Sequence, residues 1–128
     1  MKKHLLFVYG SLKKGFGNHS YYLKNANYMG TFETEPNYKM FSLGFFPGIV
    51  ENGNTSIRGE LYQISDEELE DIDSLEGYDR QNPNNSLYKR KVIETPHGNA
   101  YIYILNRDLS DKYKEISTGV WENELVEY

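Results

Sequence analysis

Two stretches of this 128-residue chain hold groups that can do chemistry. The first is the acidic segment that runs from Ser65-Asp66-Glu67-Glu68 to Leu75-Glu76-Gly77. Ser65 with Glu68 three residues later is a capping box, and Gly77 is a usual residue just past a helix end, so the pattern predicts a helix over Ser65–Glu76. With Leu69 set at 0° and 100° per residue, Ile72 falls at about −60° and Leu75 at about −120°, which defines the apolar stripe. Glu76 falls at about −20°, between Leu69 and Ile72. It is an acid aimed at the core, in the last turn, where the helix dipole disfavours negative charge. Burial and the negative helix end both raise a carboxyl pKa toward neutrality, the range a general acid/base needs. The same spacing also fits a side chain that curls out to water at a frayed end or pairs with Arg80 or Arg90. Asp73, at about +40°, is the second candidate and reads as lying at the edge of the stripe.

The second stretch is Tyr9-Gly10-Ser11-Leu12-Lys13-Lys14-Gly15. It follows the apolar run Leu5-Leu6-Phe7-Val8-Tyr9, which reads as a buried strand. A glycine-permissive turn at a strand end places main-chain N–H groups together and can form a nest for a carboxylate or phosphate. The glycine spacing fits neither a phosphate loop nor a dinucleotide fingerprint. Ser11 is not in a nucleophile elbow. An ordinary strand-to-helix connection fits the spacing equally.

Around these two stretches the pattern predicts strands over Tyr28–Thr34, Tyr38–Leu43, Ile49-Val50, Ile57–Ile64, Tyr88–Glu94 and Asn99–Leu105. The last two form a hairpin around Pro96-His97-Gly98, and Asn52-Gly53 carries a turn signal. Asn18 is placed to cap a short helix through Tyr22-Leu23. The tail from Asp108 to Tyr128, with Trp121, reads as a terminal helix or as an arm packed on the sheet. Strands in hairpin-like succession with one good helix suggest a small α+β domain or a closed barrel with a helix against it.

Composition narrows the functions. One domain fits 128 residues, and 38% apolar and 15% aromatic residues mark a globular chain. A net charge of −5 argues against an electrostatic nucleic-acid binder, and strand alternation splits Lys89 and Lys91 from Arg90. No Cys is present, which removes disulfides, thiol catalysis and thiolate metal sites. His4, His19 and His97 match no ligand spacing, so no metal is expected. The apolar start is too short for a signal peptide, and no window approaches a membrane span. The expectation is a cytoplasmic single domain with no nucleic-acid or membrane partner; nothing in the sequence sets an oligomeric state.

Phe7-Val8-Tyr9-Gly10-Ser11-Leu12-Lys13-Lys14-Gly15 with Asn18-His19 resembles the opening motif of the γ-glutamylcyclotransferase-like family, closest in flavour to the γ-glutamylamine cyclotransferases. Gly59-Glu60-Leu61-Tyr62, Leu75-Glu76-Gly77-Tyr78, Leu87-Tyr88-Lys89-Arg90-Lys91-Val92 and Ala100-Tyr101-Ile102-Tyr103 follow in the family's order. The likeness covers about residues 4–105 and leaves the tail, Trp121 included, unaligned. The resemblance implies a compact mixed β-barrel with flanking helices and a cavity at one end. It implies that Glu76 is the catalytic acid/base and that Gly10, Ser11 and Leu12 supply main-chain donors to a small γ-glutamyl substrate, with Tyr9 and Tyr103 lining the cavity. The implied reaction forms 5-oxoproline from a γ-glutamyl amide, without metal or cofactor. A module on the same fold that binds such a ligand without chemistry is the alternative.

Overall fold

The computed structural model describes residues 3–44, 46–106 and 113–122. In chain order the elements are strand β1 (Lys3–Val8), helix α1 (His19–Tyr22), strands β2 (Asn27–Glu33), β3 (Tyr38–Ser42), β4 (Pro47–Glu51) and β5 (Arg58–Ser65), helix α2 (Asp66–Leu75), a single 3-10 turn at Pro83–Asn85, and strands β6 (Tyr88–Thr95) and β7 (Gly98–Leu105). Five strands form one mixed sheet in the order β2-β5-β1-β7-β6; β3 and β4 pair as a separate antiparallel hairpin.

The apolar run of β1 places it at the centre of the sheet. It pairs antiparallel with β5 and parallel with β7, so both its edges are paired. Successive side chains then enter two different cores, as the period of two requires. Leu6 and Val8 join one cluster with Tyr62, Ile64, Tyr103 and Leu105, beneath Leu69 and Ile72 of α2. Phe7 and Tyr9 join the other with Leu61, Ile102, Ile104, Met40, Ile49 and Trp121.

Helix α2 starts as its sequence dictates. The Ser65 side chain accepts from the Glu68 N–H, and the Glu68 carboxylate accepts from the Ser65 N–H. It ends at Gly77, whose φ of 67° is a left-handed conformation that glycine adopts without strain. Asn18 is at the start of α1, but its side chain does not cap that helix. Its amide donates instead to the Ser11 hydroxyl at 2.8 Å, across the loop.

The mixed α+β class holds, but the described strands do not close into a barrel. β2 and β6 are the two open edges of the five-stranded sheet. The β3–β4 hairpin joins by packing rather than by a ladder: a Cβ on Gly48 would come within 2.4 Å of Leu105 on β7. In the tail, residues 107–112 and 123–128 lie outside the described residues. The part between them is an arm, not a helix. Glu115 bridges Phe41, the Ile116 N–H donates to the Met40 carbonyl, and the Gly119 carbonyl accepts from the Arg58 N–H. Trp121 is buried in the second core and does not line the cavity described below.

Ser65→Ala removes one half of the capping box. It is expected to lower unfolding stability by about 1 kcal/mol in a denaturant titration, with an unchanged fold.

Candidate active site

Because β1 and β7 run parallel, their C-terminal ends meet on one side of the sheet. β6 is antiparallel to β7 and starts there, with Tyr88 opposite Leu105. The start of β4 and the end of α2 come to the same side. The result is a cavity of about 260 Å³, lined by Val8 to Leu12, Phe46, Pro47, Leu75, Glu76, Leu87, Tyr88 and Tyr103 among others. Tyr9, Gly10, Ser11, Leu12, Tyr103 and Glu76, the residues singled out in the sequence, all line it.

The loop after β1 is folded on itself. Lys13 N–H donates to the Gly10 carbonyl and Asn18 N–H to the Ser11 carbonyl. His19 bonds the Leu12 carbonyl through its ring, and the Lys14 N–H reaches Glu60 on β5. The carbonyls of this turn are therefore occupied. No described residue accepts a hydrogen bond from the N–H groups of Gly10, Ser11 or Leu12. Glycine at position 10 is a matter of space: a Cβ there would stand 2.9 Å from the Pro47 ring. The loop thus packs directly on β4.

Glu76 is the first residue past α2. As a residue it is only partly exposed, and its carboxyl is pushed up to about 7, chiefly by desolvation and secondarily by the nearby Asp73 carboxylate. Among the described residues none hydrogen-bonds it and no cation pairs with it. Both arginines that were candidate partners are committed elsewhere. Arg80 Nε donates to Asp73 at 2.9 Å, and Arg90 Nη1 donates to the same oxygen at 2.7 Å. The Tyr103 hydroxyl donates to the other Asp73 oxygen. Asp73 is therefore not at the edge of the apolar stripe but 4% exposed, the most heavily bonded acid of this region. Arg90 is further held between the rings of Tyr101 and Tyr78.

The tyrosines line the cavity with their hydroxyls already in use. Tyr9 donates to the Tyr103 carbonyl at 2.7 Å, and Tyr88 donates to the Pro47 carbonyl at 2.7 Å. Burial, and for Tyr103 the bond to Asp73, raises all three well above the usual phenol value, so they stay protonated donors. Tyr88, Pro47, Phe46 and Leu87 were not singled out from the sequence. Alternation along β6 places Tyr88 inward, but nothing local marks Pro47 as its acceptor, 41 residues away. Among the described residues no cluster of three or more His, Asp or Glu is arranged to hold a metal ion. Lys91 pairs with Glu51 at 2.8 Å, while Arg90 faces inward, so Lys89-Arg90-Lys91 forms no continuous basic patch.

Comparison with known proteins gives the family. Residues 6–123 match the family described as gamma-glutamyl cyclotransferase, AIG2-like. The chain belongs to this family. A relative from Vibrio cholerae is 40% identical over 119 residues, 93% of this chain and 96% of that one. The gamma-glutamylcyclotransferase family protein YtfP of Escherichia coli is 38% identical over 116 residues, 91% of this chain and 94% of its own. Its solution structure superposes with a TM-score of 0.70, at 37% identity, over 91% of this chain and 95% of the other. The gamma-L-glutamyl-butirosin B gamma-glutamyl cyclotransferase of Niallia circulans is 29% identical over 121 residues, 91% of this chain and 74% of the relative. Among the described residues no helix is long and apolar enough to cross a membrane.

The raised Glu76 carboxyl has a consequence for stability. Its folded value of about 7 lies above its ordinary value of 4.5, so between those values the folded chain binds more protons than the unfolded one. Stability therefore falls as pH rises through that window. Glu76→Gln removes the loss. The variant is expected to gain on the wild type between pH 5 and pH 8, by on the order of 1–3 kcal/mol in paired denaturation curves.

Proposed function

We propose that the chain is a cyclotransferase that converts a γ-glutamyl amine to 5-oxoproline and the free amine, with Glu76 as the general acid/base. The observation that carries this reading is an unpaired carboxyl, shifted to about 7, in the same cavity as three main-chain N–H groups that no described residue uses. Membership of the family and the named activity of the Niallia circulans relative support it.

The substrate carries its own nucleophile. Its α-amine attacks its γ-carbonyl carbon, a C–N bond forms to close the five-membered ring, and the amide C–N bond breaks. Two protons must leave the α-ammonium nitrogen, and two must reach the departing nitrogen. A single carboxyl near its midpoint at neutral pH accepts from one nitrogen and donates to the other in turn, worth roughly 10²–10⁴-fold. The N–H groups of Gly10, Ser11 and Leu12 hold the α-carboxylate or the oxyanion that develops on the γ-carbonyl. Tyr9, Tyr88 and Tyr103 wall the cavity and, with their hydroxyls committed, keep its shape. Folding the glutamyl chain against these walls supplies an orientation term. Neither a metal nor a cofactor enters the step.

Glu76→Gln is expected to retain the fold and to lower kcat/KM by at least about 10²-fold, read as release of 5-oxoproline and amine by mass spectrometry. In the wild type, kcat/KM is expected to rise with pH through about 7, as the carboxylate forms. Normal turnover by the Gln variant would remove Glu76 from this role. A wild type that binds 5-oxoproline but releases no amine from any γ-glutamyl compound would make the chain a binding module instead.

A further inference from the structure

Four hydroxyl-bearing side chains line the cavity: Tyr9, Ser11, Tyr88 and Tyr103. The three phenols give their protons to protein acceptors, namely the Tyr103 carbonyl, the Pro47 carbonyl and the Asp73 carboxylate. The Ser11 hydroxyl differs. Its oxygen accepts from the Asn18 amide at 2.8 Å, and its proton has no acceptor among the described residues. A serine hydroxyl carries one proton and two lone pairs. With a lone pair fixed on Asn18, the proton must point elsewhere. Ser11 and Asn18 both line the cavity, which lies open to that proton.

Asn18 forgoes a more usual task to make this bond. It stands at the start of α1, where an Asn ordinarily caps through its side chain, and it makes no such cap. The bond is not needed to hold the loop. The Asn18 N–H already reaches the Ser11 carbonyl at 3.2 Å, and the Lys13 N–H closes on the Gly10 carbonyl. The His19 ring holds the Leu12 carbonyl, and Lys13 Nζ is fixed on the Trp121 carbonyl. What the Asn18 side chain adds is direction: it sets where the Ser11 proton goes.

The N–H groups of Gly10, Ser11 and Leu12 face no protein acceptor either. No Lys, Arg or His is among the described residues lining the cavity, so an anion there is held by neutral donors alone. A carboxylate offers about four acceptor sites on two oxygens, and three N–H groups with one O–H match that number. Hydrogen bonds to a charged acceptor are roughly twice as strong as neutral ones.

We propose, resting on the cyclotransferase reading above, that Asn18 is a positioning residue: by donating to the Ser11 oxygen it turns the Ser11 proton into the cavity, as a fourth donor to the substrate's α-carboxylate. That carboxylate is present before and after ring closure. The contact therefore acts on affinity for substrate and product alike.

The product 5-oxoproline keeps this carboxylate, and 2-pyrrolidinone is the same ring without it. Both compounds are titrated by NMR into the full chain as wild type, Ser11→Ala, Asn18→Leu and the double variant. Ser11→Ala is expected to weaken 5-oxoproline by about 10-fold and Asn18→Leu by at least about 3-fold, with 2-pyrrolidinone changed less than about 2-fold by either. In the Ser11→Ala background, Asn18→Leu is expected to cost nothing more, because it acts through that hydroxyl. A purely structural Asn18 would weaken both compounds, or weaken 5-oxoproline again when Ser11 is already Ala. Either result overturns the assignment, as does an Asn18→Leu affinity for 5-oxoproline equal to that of the wild type. A wild type with no preference for 5-oxoproline over 2-pyrrolidinone overturns it too. A wild type that shows the expected pattern yet forms no 5-oxoproline from γ-glutamyl amines loses the cyclotransferase reading and keeps this one.

Discussion

The arrangement depends on where two arginines go. Arg80 comes from the loop after α2 and Arg90 from β6, and either would neutralise an acid at the end of that helix. Both are taken by Asp73, together with the Tyr103 hydroxyl. Asp73 lies on α2 three residues before Glu76, close enough for each to feel the other's charge. By holding both arginines, Asp73 leaves Glu76 without a cation partner among the described residues and mildly repelled. The carboxyl is thereby raised by its surroundings rather than by a single contact. The same buried cluster joins α2 to β6 and β7, so the electrostatic setting of Glu76 and the mechanical anchoring of its helix have one origin. Breaking a buried pair of this kind costs about 3–5 kcal/mol, because it strands the remaining charge.

The opposite wall is built by close approach. Gly10 lets the loop after β1 press on Pro47, and the Pro47 carbonyl receives the Tyr88 hydroxyl. Donor loop, hairpin and β6 are linked in sequence around the cavity. The parallel pairing of β1 with β7 decides that these parts meet at all, since it brings two strand ends to one side. A closed barrel is not required for this. An open five-stranded sheet with a packed hairpin provides the same convergence.

Much of this was readable in the residues alone. The unbroken run at Leu5–Val8 marks a strand covered on both faces, and Ser65 with Glu68 and Gly77 marks the two ends of α2 almost to the residue. Helical angle alone turned Glu76 toward the core. What could not be read are the partners supplied by folding. Asp73 bonds to residues 7, 17 and 30 positions away, so its place at the edge of a helical wheel gave no hint of its burial. Asn18 illustrates a local competition: the type and place suit a helix cap, but the Ser11 hydroxyl across the loop offers the better partner. Barrel closure failed for a similar reason, because period-two patterning finds strands without saying whether the outermost two meet.

The arm at residues 113–122 reaches back to the beginning of the chain. Lys13, within the loop that follows β1, donates through Nζ to the Trp121 carbonyl at 2.7 Å. Burial lowers the Lys13 ammonium from its usual range, and its charge also lies over the Phe16 ring. The loop that carries the donors is thus braced by a segment more than a hundred residues downstream. Differences in length or sequence after the last core strand would therefore be felt as changes in stiffness at the mouth of the cavity. A region that looks free to drift can in this way retune a pocket whose own lining is untouched.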